Sequence, residues 1–266
     1  MRLVATDLDG TVVRPDGTIS ARTRAALSAC LAAGIHVIYV TGRPPRWMGE
    51  VVAQTGHRGI AICGNGAVVY DLDADRVLEA RTLAVENVRA CVQRLRALMP
   101  DATFALETLA GFRREPAYLT RYDTGVEAEI GSLDDLLEDD PGVVKLLCRD
   151  ETRAGDTMLA LARPAVAGLA SATHSDPHDG LVELSLEGVS KAATLAALAA
   201  ARGVDRADVV AFGDMPNDVE MLAWAGRGYA MSGGHPDAVA AAGRTAPSCL
   251  DDGVAQVLET LLRRSA

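Results

Sequence analysis

The sequence predicts an α/β fold, a parallel-sheet core interrupted by an inserted α+β segment, and three observations carry that prediction. Short apolar runs alternate with helical patterns over about the first 80 residues, the rhythm of βαβ units. The same rhythm resumes near Ser190 and continues to the last helix. Between the two blocks the texture changes to amphipathic helices and alternating segments. The boundaries expected from these changes give a core domain of residues 1–82 and 188–266 and an inserted domain of residues 83–187.

The elements follow in order. Leu3-Val4-Ala5 reads as the first strand. Ser20 is a natural N-cap for a helix carrying Ala25, Leu27, Leu31 and Ala32 on one side, with Gly34 as its stop. His36 to Val40 forms the second strand, a helix runs from about Pro45 to Thr55, and Ile60 to Cys63 forms the third strand. The insert opens on an amphipathic helix, Val85 to Met99. Strand-like segments follow at Thr103 to Leu106, Val143 to Cys148 and Leu181 to Leu186, with a further helix near Thr152 to Leu161. After Ser190 come a helix to Arg202, a strand Val209 to Phe212, a short helix after Asn217, a strand ending at Met231 and two final helices.

Composition narrows the function classes. The 266 residues include 36 acidic and 26 basic ones, a formal charge of −10, which speaks against a nucleic-acid partner bound through a basic surface. No uninterrupted apolar window is long enough for a membrane span, and Asp7 arrives too early for a signal-peptide apolar region, so a cytoplasmic protein with no membrane partner is expected. The five cysteines are odd in number and lack C-x-x-C spacing; they read as small buried hydrophobes rather than disulfides or zinc ligands.

Each core strand ends in polar residues: Asp7-Leu8-Asp9-Gly10-Thr11, Thr41-Gly42-Arg43, Gly64-Asn65-Gly66, and Gly213-Asp214-Met215-Pro216-Asn217-Asp218. In an open parallel sheet the carboxyl ends of the strands share one edge, where ligands bind, so these groups should converge. Asp7, Asp9, Asp214 and Asp218 would repel one another unless a cation sat among them, and a hard divalent ion such as Mg²⁺ suits oxygen donors. Thr41, Arg43 and Lys191, expected opposite the carboxylates, make a seat for a tetrahedral dianion, and Gly10 permits close backbone approach. Of Asp7 and Asp9, one can act as nucleophile and the other as general acid.

The runs Asp7 to Thr11, Thr41 to Arg43 and Gly213 to Asp218, with Lys191 at the start of a helix, resemble the four motifs of the haloacid dehalogenase superfamily. Together with Gly64-Asn65-Gly66 and the insert, the chain resembles the Cof-type branch, subfamily IIB: a Rossmann-like core with a C2-type α/β cap. The resemblance implies a phosphoric monoester hydrolase that acts on a small phosphomonoester, a sugar phosphate or a phosphorylated cofactor, with Mg²⁺. It makes Asp7 nucleophile and metal ligand, and Asp9 general acid/base and a ligand through its backbone carbonyl. Thr41 and Lys191 become phosphoryl ligands, and Asp214 and Asp218 complete the metal site. Gly10, Gly42, Arg43, Asn65 and Asn217 fall among the phosphate- or substrate-binding positions.

Other readings stand beside this one. The same core would serve a phosphotransferase or phosphomutase, and a non-catalytic phosphoester sensor is a third possibility. The acidic stretch Asp134 to Asp140 reads as a solvated helix or loop. His174 and His178 read as a hairpin turn rather than a metal pair. In the insert, Arg113, Arg114, Tyr118, Arg121 and Tyr122 read equally as leaving-group contacts and as exposed strand residues. Monomer and homodimer are not distinguished.

Overall fold

A computed structural model describes residues 1–120 and 127–264; Arg121 and Tyr122 lie outside the described residues. The chain divides into two units, Met1–Glu79 with Ser190–Ala266, and Ala80–Val189.

The first stretch runs β1 (Leu3–Thr6), α1 (Ala21–Ala32), β2 (His36–Val40), α2 (Met48–Thr55), β3 (Ile60–Cys63), β4 (Val68–Asp71) and β5 (Arg76–Ala80). All four residues of β1 are buried, as expected of a strand covered on both faces. Ser20 caps α1, its hydroxyl accepting from the Thr23 N–H. The insert contributes α3 (Val85–Leu98), β6 (Thr103–Thr108), β7 (Gly111–Arg114), β8 (Glu129–Ile130), α4 (Leu133–Leu136), β9 (Val143–Arg149), α5 (Gly155–Val166), β10 (Ala170–Thr173) and β11 (Leu181–Leu186). The chain then returns through α6 (Lys191–Ala201), β12 (Val209–Gly213), α7 (Val219–Trp224), β13 (Arg227–Met231), α8 (Pro236–Ala242), β14 (Thr245–Ala246) and α9 (Gly253–Arg263).

In the first unit eight strands form one sheet in the order β14-β13-β12-β1-β2-β3-β4-β5. β1 lies parallel to β2 on one side and to β12 on the other, with Leu3 level with both His36 and Val209. The chain moves outward from β1 in one direction before the insert and in the other after it, so a topological switch falls at β1. Leu3, Ile38, Ile62 and Val209 pack with Leu195, Met221 and Leu222 of α6 and α7. Burying each such side chain contributes about 1.5–3 kcal/mol.

The sequence reading stops the sheet at β3, and the structure extends it. β4 runs antiparallel to β3, with Ile62 level with Val69, and β5 follows at the edge. Four of the five β5 residues are exposed, which removes the alternation that would have marked a strand.

The insert has its own sheet, ordered β10-β11-β9-β6-β7-β8 and antiparallel except between β7 and β8. Because side chains alternate along β9, Leu146 and Cys148 pack with Val88, Leu95, Met158 and Val166 of α3 and α5, while Lys145, Leu147 and Arg149 take the other face. The helix expected near Thr152 to Leu161 begins later and runs through Pro164, which sits in its last turn.

One of the two readings of the insert's basic and aromatic residues is set aside. Arg113 and Tyr118 are buried rather than exposed. Arg113 donates to both Asp139 oxygens and to the Leu136 carbonyl, and the Arg149 guanidinium stacks over the Tyr118 ring at 5.6 Å. Arg114 donates to the carbonyls of Glu115, Pro116 and Tyr118. All three are therefore occupied in holding the insert together. His174 lies in the connection between β10 and β11 but is fully buried, its Nε2 sharing a hydrogen bond of 2.8 Å with Asp156 of α5.

Candidate active site

Four strand ends of the first unit meet at the carboxyl edge of its sheet. Asp7 follows β1 directly, its N–H held by the Phe212 carbonyl at 3.0 Å, so the end of β12 fixes the register of the residue. Asp214 follows β12 in the same way. Asp218, four residues on, turns back so that its Oδ2 accepts from the N–H groups of Asp214 and Met215 at 3.0 and 3.1 Å. Gly213 makes room for this return, since a Cβ there would lie 2.4 Å from the Asp218 carboxyl carbon.

Lys191 opens α6 and is 1% exposed. The sequence reading set it opposite the carboxylates; the structure corrects this by placing its ammonium among them. Its Nζ donates to Asp7 Oδ1 at 2.6 Å and to Asp218 Oδ1 at 2.7 Å. One carboxylate oxygen from each of Asp7, Asp214 and Asp218 lies within 4.8 Å of the other two. Two of these three buried carboxylates thus hold one ammonium, and the third lies beside them.

The electrostatics follow from that imbalance. Burial pushes the Asp7 carboxyl well above the ordinary carboxylate range; the Lys191 charge opposes the shift, while Asp218, Asp214 and Asp9 add to it. Burial, reinforced by Asp218, pushes Asp214 up to about 7, against a hydrogen bond from Thr11 that favours its charged form. Lys191 is held above its ordinary value: burial would lower it, but Asp218 and Asp7 outweigh the burial. A cluster of hard oxygens carrying more negative charge than its lysine can balance fits a small divalent cation.

Asp9 lies apart from these three. Its side chain is 59% exposed and its two oxygens accept from Arg43, Oδ2 from Nε at 2.8 Å and Oδ1 from Nη2 at 2.5 Å. Thr41 is buried at the end of β2, and its hydroxyl accepts from the Arg43 N–H at 3.0 Å. Gly42 sits between them as the turn that brings Arg43 toward Asp9. Asn65 adopts φ 56° between two glycines, and its side-chain carbonyl accepts from Asn217 Nδ2 at 3.1 Å. The turns after β3 and β12 are thereby joined across the sheet edge. Gly10, at φ 77°, is where the chain passes closest to the carboxylates, for a Cβ there would lie 2.3 Å from Asp214 Oδ2.

The structure adds residues that the sequence reading did not assign to the site. Thr11 donates to Asp214 Oδ1 at 3.0 Å; its place in the Asp-x-Asp-Gly-Thr motif was the available signal. Gly66 and Thr194 fix α6 to the third strand end: the Thr194 hydroxyl donates to the Gly66 carbonyl at 2.8 Å, and a Cβ on Gly66 would meet the Ser190 carbonyl at 2.3 Å. The glycine and the threonine were the marks of that contact in the sequence.

A buried carboxylate held by a buried lysine at the carboxyl edge of a parallel sheet, flanked by an arginine-paired second carboxylate, defines the active site of an enzyme. The description of the haloacid dehalogenase-like hydrolases matches residues 4–258, and the chain belongs to that family. It is 27% identical to 5-amino-6-(5-phospho-D-ribitylamino)uracil phosphatase YitU of Bacillus subtilis, an alignment spanning 97% of this chain and 96% of that protein. It is 28% identical to pyridoxal phosphate phosphatase YbhA of Escherichia coli, over 90% of each chain. Among solved structures it resembles the superfamily phosphatase BT1666 of Bacteroides thetaiotaomicron, with a TM-score of 0.80, 22% identity, and coverage of 98% of this chain and 94% of that one. Among the described residues, no helix is long and apolar enough to cross a membrane.

Proposed function

We propose that the protein is a Mg²⁺-dependent phosphatase that releases inorganic phosphate from a small phosphomonoester through an aspartyl-phosphate on Asp7. The chain is a phosphoric monoester hydrolase of haloacid dehalogenase type. The observation that carries the mechanism is the buried Asp7 carboxylate, clamped by Lys191 and crowded by Asp214 and Asp218. Relatives named for a pyridoxal phosphate and for a phosphoribitylamino-uracil support a phosphorylated cofactor or its precursor over a simple sugar phosphate. The unit Ala80–Val189 is the cap in this reading. The enzyme works in the cytoplasm, where its free cysteines stay reduced.

Asp7, Asp214 and Asp218 would hold the ion, which supplies charge neutralisation for the transferring phosphoryl group. The remaining chemistry belongs to side chains. Lys191 favours the ionised form of Asp7 and orients it, so that the carboxylate oxygen not committed to the ammonium can attack phosphorus. As that bond forms, the bond to the leaving oxygen breaks and Asp9 supplies its proton. Asp9 then takes a proton from water, whose oxygen displaces the Asp7 carboxylate and frees phosphate. Thr41, Asn65 and Asn217 line the edge at which the phosphoryl oxygens are held.

The test is phosphate release from a panel of sugar phosphates, nucleotides, flavin mononucleotide and pyridoxal 5′-phosphate, with Mg²⁺ or with EDTA. Release that needs the metal and falls at least about a thousandfold in Asp7→Asn supports the mechanism. Undiminished release by a folded Asp7→Asn would refute it, and transfer to added sugars in place of hydrolysis would mark a phosphotransferase.

A further inference from the structure

We infer that Arg43 is a positioning residue for Asp9, fixing the direction in which its carboxyl group meets the leaving oxygen, rather than a ligand of the phosphoryl group. The inference rests on the phosphatase reading above and goes beyond it by giving this guanidinium its partner.

The geometry is a planar fork on a planar acceptor: Nε on one Asp9 oxygen at 2.8 Å and Nη2 on the other at 2.5 Å. Each member alone would be poorly placed to orient a proton. Asp9 is exposed and is followed by Gly10 in a left-handed turn, so its side chain has open space in which to rotate. Arg43 is the anchored partner. Its side chain is 16% exposed, its N–H donates to the Thr41 hydroxyl at 3.0 Å, and its carbonyl accepts from the Gly64 N–H at 3.0 Å. The fork therefore ties the turn after β1 to the ends of β2 and β3.

Stability does not account for such a pair, because an ion pair this open to water contributes little. Direction does. Two parallel N–H···O bonds fix the carboxylate plane in a way that a lysine, a point charge on a flexible stem, does not. An ionised carboxylate has about four lone-pair sites; the fork takes two and leaves one on each oxygen for the leaving group and for water. In the first half-reaction the Asp9 proton passes to the departing alkoxide as the Asp7–phosphorus bond forms. In the second, Asp9 recovers a proton from the attacking water.

The experiment compares p-nitrophenyl phosphate, whose leaving group departs without a proton, with the fastest alkyl phosphate of the panel. The proteins are the parent enzyme, Arg43→Ala, Arg43→Lys, Asp9→Asn and the double variant Asp9→Asn/Arg43→Ala. Thermal melting establishes that each is folded, and the lysine variant serves if the alanine one is not. The expected result is a kcat loss on the alkyl ester at least about tenfold larger than on the aryl ester, with little change in KM and no rescue by lysine. In the Asp9→Asn background, Arg43→Ala should add less than about twofold. Equal losses on both esters with a raised KM, or losses that multiply in the double variant, would assign Arg43 to the phosphoryl group and overturn the inference. If the parent releases phosphate from neither ester, the phosphatase reading itself fails and this inference with it.

Discussion

Buried charge occurs in both units of the chain, and the two treat it differently. On the face of the insert's sheet away from α3 and α5, Lys145 is 4% exposed and donates to Glu183 at 2.5 Å; Arg149, 3% exposed, forks onto Asp179 at 2.6 and 3.2 Å. These pairs join one cation to one carboxylate each, and Glu107 of β6, also buried, lies level with Lys145. At the sheet edge of the other unit, Lys191 is buried as deeply but serves two carboxylates while a third stands beside them. Burial and ion pairing are thus common to both; what sets the second apart is three carboxylate oxygens within 4.8 Å of one another. That clustering, not the mere presence of charge in the interior, is what the proposed cation site rests on.

The comparison can be tested by removing the lysine from each place. Lys191→Met should abolish detectable phosphate release, a loss of at least about a hundredfold. Urea unfolding of the same variant should reveal a stability that divalent ions partly restore. Lys145→Met should destabilise by about 3–5 kcal/mol, because it strands Glu183, and added Mg²⁺ should not recover it. Metal rescue of both variants, or of neither, would erase the distinction.

A smaller effect follows from pH. Asp214 is raised to about 7 in the folded protein and returns to the ordinary carboxylate range on unfolding. A group raised in this way favours the folded state while it is protonated, below the unfolded pKa, and that contribution is lost as pH rises through about 7. Metal-free protein should therefore lose on the order of a few kcal/mol between pH 4 and 8. The thermal upshift produced by Mg²⁺ should grow over the same interval; an upshift independent of pH would contradict the assignment. Smallest is Thr11→Val, which removes the hydrogen bond to Asp214 and should weaken Mg²⁺ binding about tenfold, read by titration calorimetry.

Much of this arrangement is legible in the sequence. Strands such as His36–Val40 and Ile60–Cys63 are apolar runs stopped by polar turns, and a parallel sheet places all such stops on one edge. What was not legible depends on pairing across the chain. The side of the carboxylates on which Lys191 stands follows from the packing of α6 against Gly66, and that contact is encoded only by a missing side chain and a threonine. The fork between Asp9 and Arg43 joins two motifs that each looked self-sufficient. In the insert, short strands such as β8 and β10 carry too few residues to show a period, and Arg113 reads as a surface residue until Asp139 is brought to it.

The strand order also has a consequence for how the protein is made. Asp7 lies seven residues into the chain, yet the lysine that holds it is 184 residues away, and β12, which completes the pairing of β1, is farther still. On the ribosome β1 must wait beside β2 with its other edge unpaired while the whole insert is synthesised. The four exposed residues of β5 do nothing to shield that edge, since they lie at the far side of the sheet. A nascent chain arrested inside the insert would present Asp7 without its ammonium and β1 with an open side, a species better suited to a chaperone than to a substrate.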